Sequence, residues 1–453
     1  MQGDSLKQLL PDVQEMMSAY KYVIANNYFN KTPVLTYENV EVNKDIVIPR
    51  IDFNLDDIVA TCALIGTPVS LIGSKGGGKS YLADIMAHCL FGDNFAEKTI
   101  NPSLGINDFA DPSFRDMKDS KTKSDYLKPD KILTKPCLVI NEVNRAHPSL
   151  QNFFIGLLEN KMNIFSLNFK AGEKTPYGNF YFFPIITMNE GIQYSGASNV
   201  DTALRDRMGI EVFMDNFSYY EGCTDDHLKL VKSKLNPEII HSQSGFTDLI
   251  YVINKDINSI KIDTDSTLFT LFLSWMDKCT KSKVKSKTAV STRSLMNLCQ
   301  GCESSKDHNS MCMNVFKPSN RAFTDISKFA KAVSFMKAVK IYDYCSEKDI
   351  SFDNLHYEIE VTLEDMIVAS PFILAGKTEM NSKWLNEYYQ GNKMIAAQEI
   401  ADNIKKEIVE SREILDICTS KNPEHTVKVQ MFNKKRFGPD IIDFFKKYML
   451  KNE

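Results

Sequence analysis

The chain has 453 residues, 43% of them hydrophobic, and a formal net charge of −4 at neutral pH. That length suits about two or three domains with ample apolar content for packed cores, and the negative balance argues against a surface built throughout to bind nucleic acid. No run approaches the roughly 20 apolar residues of a bilayer-spanning helix, and the opening MQGDSLKQLLPDVQE lacks a basic-then-apolar leader pattern, so a cytoplasmic chain without membrane contact is expected.

Residues 1–50 read as a helical lead-in, with Leu9, Val13, Met16, Met17 and Tyr20 on one apolar stripe. Next, Pro68 to Ile72 reads as a short buried strand, followed by Gly73, Ser74, Lys75, Gly76, Gly77, Gly78, Lys79 and Ser80. These eight residues are a full match to G-x-x-x-x-G-K-[ST]. Beyond them Leu82, Ile85, Met86, Cys89 and Leu90 fall at helical spacing, and Gly92 stops the helix. A strand, a glycine loop and a helix amino terminus together aim backbone N–H groups at an anion. The segment from Gly73 to Tyr81 is therefore expected to bind ATP, with Lys79 on the β- and γ-phosphates and the Ser80 hydroxyl on Mg²⁺.

The stretch KPCLVINEVNRAHPSLQNFFIGLLENK predicts a second buried strand, Cys137 to Ile140, and a helix with the stripe Leu150, Phe153, Phe154, Leu157 and Leu158. Between them stand Asn141, Glu142, Asn144 and Arg145. A strand in this place usually ends in an aspartate that accepts hydrogen bonds from water on Mg²⁺. The Asn141 carbonyl can still accept one, but it brings no charge. Weaker Mg²⁺ retention and slower hydrolysis, with nucleotide binding intact, are expected.

The run NEVNRA resembles the DEINRA motif of AAA+ ATPases of the MoxR type and their dynein-related relatives, such as CbbQ, NorQ and GvpN. The flanks extend the likeness. INPSLGINDFADPSFRDM is similar to the family's pore-facing departure from the core sheet, and residues 157–184 to its hairpin, with Phe165, Leu167 and Phe169 alternating as in a half-buried strand. IITMNEGIQYSGASNVDTALRDRM resembles the sensor strand and arginine-finger region, STRSL the sensor-2 site, and VTLEDMIVASPFIL the end of the lid.

The resemblance implies an α/β P-loop AAA+ core with a parallel five-stranded sheet over 51–215 and an α-helical lid over 216–377 with an insertion near 299–320; residues 378–453 read as a helical C-terminal extension that it does not cover. It implies that Glu142 polarises water, Asn189 orients it, Arg207 (Arg205 as second candidate) reaches a neighbouring subunit's nucleotide, and Arg293 senses it; Asn141 joins Ser80 at the metal. It further implies a homo-oligomeric, hexameric ring that remodels a client protein, with a von Willebrand A domain protein as a partner class. Two other readings stay open: a nucleotide-binding scaffold with weak hydrolysis, motivated by Asn141, and a nucleic-acid motor like McrB.

Arginine usage points the same way without the family. Only nine of the 54 basic residues are Arg, yet Arg145, Arg205, Arg207 and Arg293 all lie in these motifs, as planar phosphate or carboxylate contacts require. Structural ion pairs are the competing reading for Arg145 and Arg205.

Ten cysteines are scattered as small hydrophobes of a reducing compartment, save for Cys299, Cys302, His308 and Cys312, whose spacing is close to a zinc knuckle with the histidine displaced by one place. Buried and loop thiols are the plainer reading. The basic tail VKVQMFNKKRFGPDIIDFFKKYMLK reads as an amphipathic helix with Ile441, Ile442, Phe444, Phe445 and Met449 on its apolar face.

Overall fold

The computed structural model describes residues 3–27, 32–112, 127–164, 167–189, 200–217, 245–274, 278–279, 290–291, 314–316 and 318–419. The chain divides into two compact units, residues 1–261 with 327–360 and residues 262–326 with 361–453. Arg293, the Cys299–Cys302–His308–Cys312 group and the tail from 420 onward lie outside the described residues.

The first unit opens with helices α1 (Gly3–Lys7) and α2 (Leu10–Asn27). Leu10, Val13, Met16, Met17 and Tyr20 of α2 are buried, so the expected stripe begins one residue later, at Leu10 rather than Leu9. The lead-in is helical only as far as Asn27. Strands β1 (Leu35–Glu41) and β2 (Val47–Phe53) follow as an antiparallel pair registered from Leu35 opposite Phe53 to Glu41 opposite Val47. Val, Ile, Tyr and Thr at alternate positions of this stretch favour a pleated strand over a helix.

Helix α3 (Leu55–Ile65) starts where Asp57 accepts the Asn54 backbone N–H at 3.1 Å, and ends at Gly66 in the left-handed conformation. Asp57 also anchors a buried ionic cluster. It accepts from the Tyr20 hydroxyl at 2.6 Å and from Lys340 Nζ at 2.7 Å, with Lys21 at 4.0 Å. Lys340 belongs to a later helix, Asn320–Glu347, so the cluster joins segments far apart in sequence. Burial alone would raise the Asp57 carboxyl, but the charges of Lys340 and Lys21 and the hydrogen bonds from Lys340 and Tyr20 outweigh it and lower it. The adjacent Asp56, buried and facing the Asp57 charge, is pushed up to about 7.

The central sheet comprises β3 (Val69–Ile72), β4 (Phe95–Thr99), β7 (Cys137–Asn141), β12 (Phe183–Met188) and β13 (Ile210–Phe213), with two short antiparallel pairs and a third intervening: β5 (Ala110–Pro112) with β6 (Leu127–Pro129), β8 (Met162–Ile164) with β9 (Leu167–Phe169), and β10 (Glu173–Lys174) with β11 (Phe180–Tyr181). The five strands are parallel, in the order β13-β3-β12-β7-β4. Strands β3, β7 and β12 are buried along their whole length, as unbroken apolar runs in a sheet covered on both faces should be.

Helix α4 (Lys79–Phe91) packs on β7 and β12. Side chains alternate across a strand, and Leu138 and Ile140 of β7 join a core with Leu150, Phe153, Phe154 and Leu157 of α5 (Pro148–Leu158). Cutting one such phenylalanine to alanine would cost about 3–5 kcal/mol. Leu167 and Phe169 are half-buried on β9, while Phe165 lies outside the described residues. The first unit also contains α6 (Thr202–Arg205) and α7 (Thr247–Asp256).

The second unit is helical. Helices α8 (Thr264–Ser274), α10 (Leu363–Ala369), α11 (Pro371–Lys377) and α12 (Ser382–Tyr389) pack on α13 (Lys393–Thr419), while α9 (Asn320–Glu347) belongs from residue 327 onward to the first unit. Ala396, Ala397 and Ala401 of α13 are buried beside Ile400 and Ile404, and such small residues let neighbouring helices approach closely. Pro371 supplies the first residue of α11, where its missing N–H costs no bond. Among the described residues, no helix is long and apolar enough to cross a membrane.

Candidate nucleotide-binding site

The phosphate loop leaves β3 at Gly73 and enters α4 at Lys79. Gly76 and Gly78 adopt φ of 86° and 77°, which side chains rarely tolerate, and a Cβ on Gly76 would meet nothing within 4 Å. The loop thus leaves an open cradle on that side. Gly73 answers to a different constraint: a Cβ there would fall 2.9 Å from an Asp215 carboxylate oxygen. Lys79 is buried, and its Nζ donates to the carbonyl oxygens of Gly73 at 3.0 Å and Ser74 at 2.5 Å. Burial lowers its pKa, while the charges of Asp215 and Glu142 pull it back up. Lys79 therefore senses both the loop's anchor and the second motif. Ser74, Lys75, Gly76, Gly77, Ser80 and Tyr81 are exposed, and the first N–H groups of α4 have no partner within the helix. This cradle fits a phosphate chain.

The second motif lies two strands away. Asn141 ends β7, is buried, and is held from both sides: its Oδ1 accepts the Thr187 hydroxyl at 2.8 Å, and its Nδ2 donates to Glu97 Oε1 at 2.5 Å. Glu142 adopts φ 59°, ψ 43°, a left-handed conformation that costs a residue with a side chain about 1–2 kcal/mol. Its N–H donates to Thr187 Oγ1 at 3.3 Å, and its carboxylate pairs with Arg145 Nε at 3.1 Å. Asn189 follows the end of β12, where its backbone carbonyl accepts from Asn144 Nδ2 at 3.0 Å. The hydroxyl of Ser80, the amide carbonyl of Asn141 and the carboxylate of Glu142 are all oxygen donors, a set that fits Mg²⁺.

The arginines separate. Arg205 donates from Nε and Nη2 to the two carboxylate oxygens of Glu211, at 3.0 and 3.1 Å, and the Glu211 side chain is only 1% exposed. That pairing lies inside the fold. Arg207 donates to Glu159 at 2.6 Å and to the Ala203 carbonyl at 2.7 Å. Arg145 and Glu142 are both partly exposed.

Four residues that shape this site have no role predicted from the sequence: Asp215, Thr187, Asn144 and Glu97. Asn144 stands within the second motif and Thr187 in the sensor strand two residues before Asn189, but Asp215 and Glu97 lie outside the motifs, and only the sheet order brings them in. Among the described residues, no cluster of three or more His, Cys, Asp or Glu side chains is arranged to hold a metal unaided.

Residues 68–208 match the family model of the AAA domain, dynein-related subfamily. That span encloses the phosphate loop, the second motif, Asn189, Arg205 and Arg207. No curated protein matches the sequence. Among solved structures, the chain is similar to a presumed ATPase from Cytophaga hutchinsonii, with a TM-score of 0.56 and 13% identity over 89% of this chain and 97% of that one. At that identity the likeness bears on the fold alone.

Proposed function

Starting from a chain that carries a dynein-related AAA domain at residues 68–208, we propose a MoxR-type ATPase that couples binding and hydrolysis of ATP to remodelling of a partner protein. The observation that carries this reading is Lys79, buried beneath a complete phosphate loop with its Nζ on the Gly73 and Ser74 carbonyls, while Asn141 and Glu142 stand at the end of a strand of the same sheet. A phosphate loop and a second motif at the ends of strands in one parallel sheet are the arrangement phosphoryl transfer needs.

In this reading the N–H groups of Gly73 to Tyr81 hold the phosphates, and Lys79 turns from the Gly73 and Ser74 carbonyls to the β- and γ-phosphate oxygens. Bound Mg²⁺ supplies charge neutralisation between those phosphates, with Ser80 and Asn141 as the residues that would hold it. Glu142 polarises the attacking water and Asn189 orients it. Arg207 stabilises charge developing on the γ-phosphoryl of a neighbouring subunit, so turnover depends on assembly. Arg205, given its bond to the buried Glu211, is the weaker candidate for that task. Arg293 would be the second sensor, from the helical lid taken as 216–377.

A homo-oligomeric ring, hexameric by family analogy, a client bearing a von Willebrand A domain and a cytoplasmic location belong to the same proposal. Taken alone, the uncharged Asn141 carbonyl favours a slow enzyme within it. Calorimetric titration with ATP and Mg²⁺ tests the site: Lys79→Ala should abolish binding while Glu142→Gln retains it. Equal affinity in Lys79→Ala and the wild type would sink the proposal.

A further inference from the structure

The asparagine at the end of β7 has a charged neighbour, and the pairing explains the substitution. Strands β4 and β7 run parallel with Glu97 opposite Val139 and Thr99 opposite Asn141. Glu97 and Asn141 therefore share a face, one step apart along adjacent strands. The Asn141 amide donates to Glu97 Oε1 at 2.5 Å, a close contact of the kind a charged acceptor favours. On its other side the Asn141 carbonyl accepts from Thr187, whose oxygen in turn accepts the Glu142 N–H. One polar chain thus runs across β12, β7 and β4.

We propose that Glu97 supplies the negative charge that Asn141 lacks, so that the two side chains together form the acidic element of the cation site. This inference rests on the Mg²⁺–nucleotide reading above. Only a side chain with both a donor and an acceptor satisfies Thr187 and Glu97 at once, and asparagine has both. Aspartate at 141 could accept from Thr187, but it would face the Glu97 carboxylate at hydrogen-bond distance with no proton between them. Two carboxylates so close cannot both stay ionised.

With Glu97 present, asparagine keeps this pair of side chains at one negative charge where aspartate would either double it or force a proton between them. The carbonyl oxygen has two lone pairs; Thr187 uses one, and the other is left for a water on the metal. A carboxylate drawing on the amide N–H shifts electron density towards that oxygen, since linked hydrogen bonds polarise one another. Glu97 is on the edge strand and exposed. It acts through Asn141 and is a positioning residue, not a catalytic one.

The test is a titration of Mg²⁺ onto the full-length protein with AMP-PNP bound, read by nucleotide affinity with and without EDTA. Glu97→Gln keeps an acceptor for the amide and removes only the charge. It should weaken Mg²⁺ binding by about tenfold, the usual scale for a group behind a metal ligand, with affinity in EDTA and the melting temperature unchanged. Asn141→Asp alone should bind Mg²⁺ no better than wild type, and Asn141→Asp combined with Glu97→Gln should restore wild-type affinity. Two results overturn the proposal on its own: Mg²⁺ affinity unchanged in Glu97→Gln, or tighter Mg²⁺ binding in Asn141→Asp with Glu97 in place. A wild type whose AMP-PNP affinity ignores Mg²⁺ overturns the underlying site reading, and this inference with it.

Discussion

Asp215 holds Ser74 at three points: its carboxylate oxygens accept the Ser74 backbone N–H at 3.0 and 2.9 Å, and Oδ1 also accepts the Ser74 hydroxyl at 2.9 Å. The turn after β13 thereby fixes the entry to the phosphate loop. Hydrogen bonds to a charged group contribute about 1.5–3 kcal/mol, and exposure of this one favours the low end. Asp215→Ala should weaken ATP binding by about tenfold, the equivalent of about 1.4 kcal/mol. Ser74→Ala, which loses only the hydroxyl bond, should cost less. Calorimetry on the two variants checks the order.

Arg205 and Arg207 should fail in different ways. Removing Arg205 leaves the Glu211 carboxylate buried without its bidentate partner, a loss of about 3–5 kcal/mol. Removing Arg207 breaks an ion pair with the more exposed Glu159, worth about 1 kcal/mol or less. Thermal melting of Arg205→Ala should show a large drop, and Arg207→Ala a small one with turnover lost. Similar melting temperatures would mean that the Arg205–Glu211 pair contributes little.

The backbone at Glu142 separates stability from activity. Replacing Glu142 by Ala or Gly removes the same carboxylate, but only glycine is at ease at φ 59°. After allowing for the greater freedom of glycine in the unfolded chain, Glu142→Gly should be more stable than Glu142→Ala by about 0.5–1 kcal/mol, with neither hydrolysing ATP. Urea melts of the pair give the difference directly.

Asp56 makes stability fall with pH. Its carboxyl sits at about 7 in the folded chain because of burial and the neighbouring Asp57 charge, against 3.8 as the ordinary value. The folded state therefore holds a proton that the unfolded state has released, and stability drains away as pH rises between those two values. The cost above pH 7 is on the order of a few kcal/mol. Asp56→Asn should gain stability over wild type progressively from about pH 4 to 7 and hold a constant margin beyond. A margin that does not grow across this range contradicts the assignment. Lys21, Lys340 and Asp57 are present in both proteins, and the substitution also frees Asp57 from the neighbouring Asp56 charge.

The sequence carried the elements whose signal is local. The loop Gly73–Ser80, the strands at Val69–Ile72 and Cys137–Asn141, and the stripes of α4 and α5 all follow from apolar spacing and glycine placement. The β1–β2 hairpin was hidden because β-branched residues there alternate over too short a run to displace a helical reading of the first 50 residues. What sequence could not supply was lateral. Asn141 on its own looks like a lost charge; the register of β4 against β7 brings Glu97 to it. Asp215 is likewise separated from Ser74 by the whole core, and only parallel pairing of β13 with β3 makes them neighbours.

Steady-state ATP turnover measured against protein concentration, for wild type, Glu142→Gln and Arg207→Ala, tests the central claim most directly. A site completed by a neighbouring subunit's Arg207 predicts turnover per chain that rises with concentration in the wild type, none in Glu142→Gln, and none in Arg207→Ala despite intact ATP binding. Wild-type turnover absent at every concentration while ATP binds tightly, or Arg207→Ala as active as wild type, would contradict it.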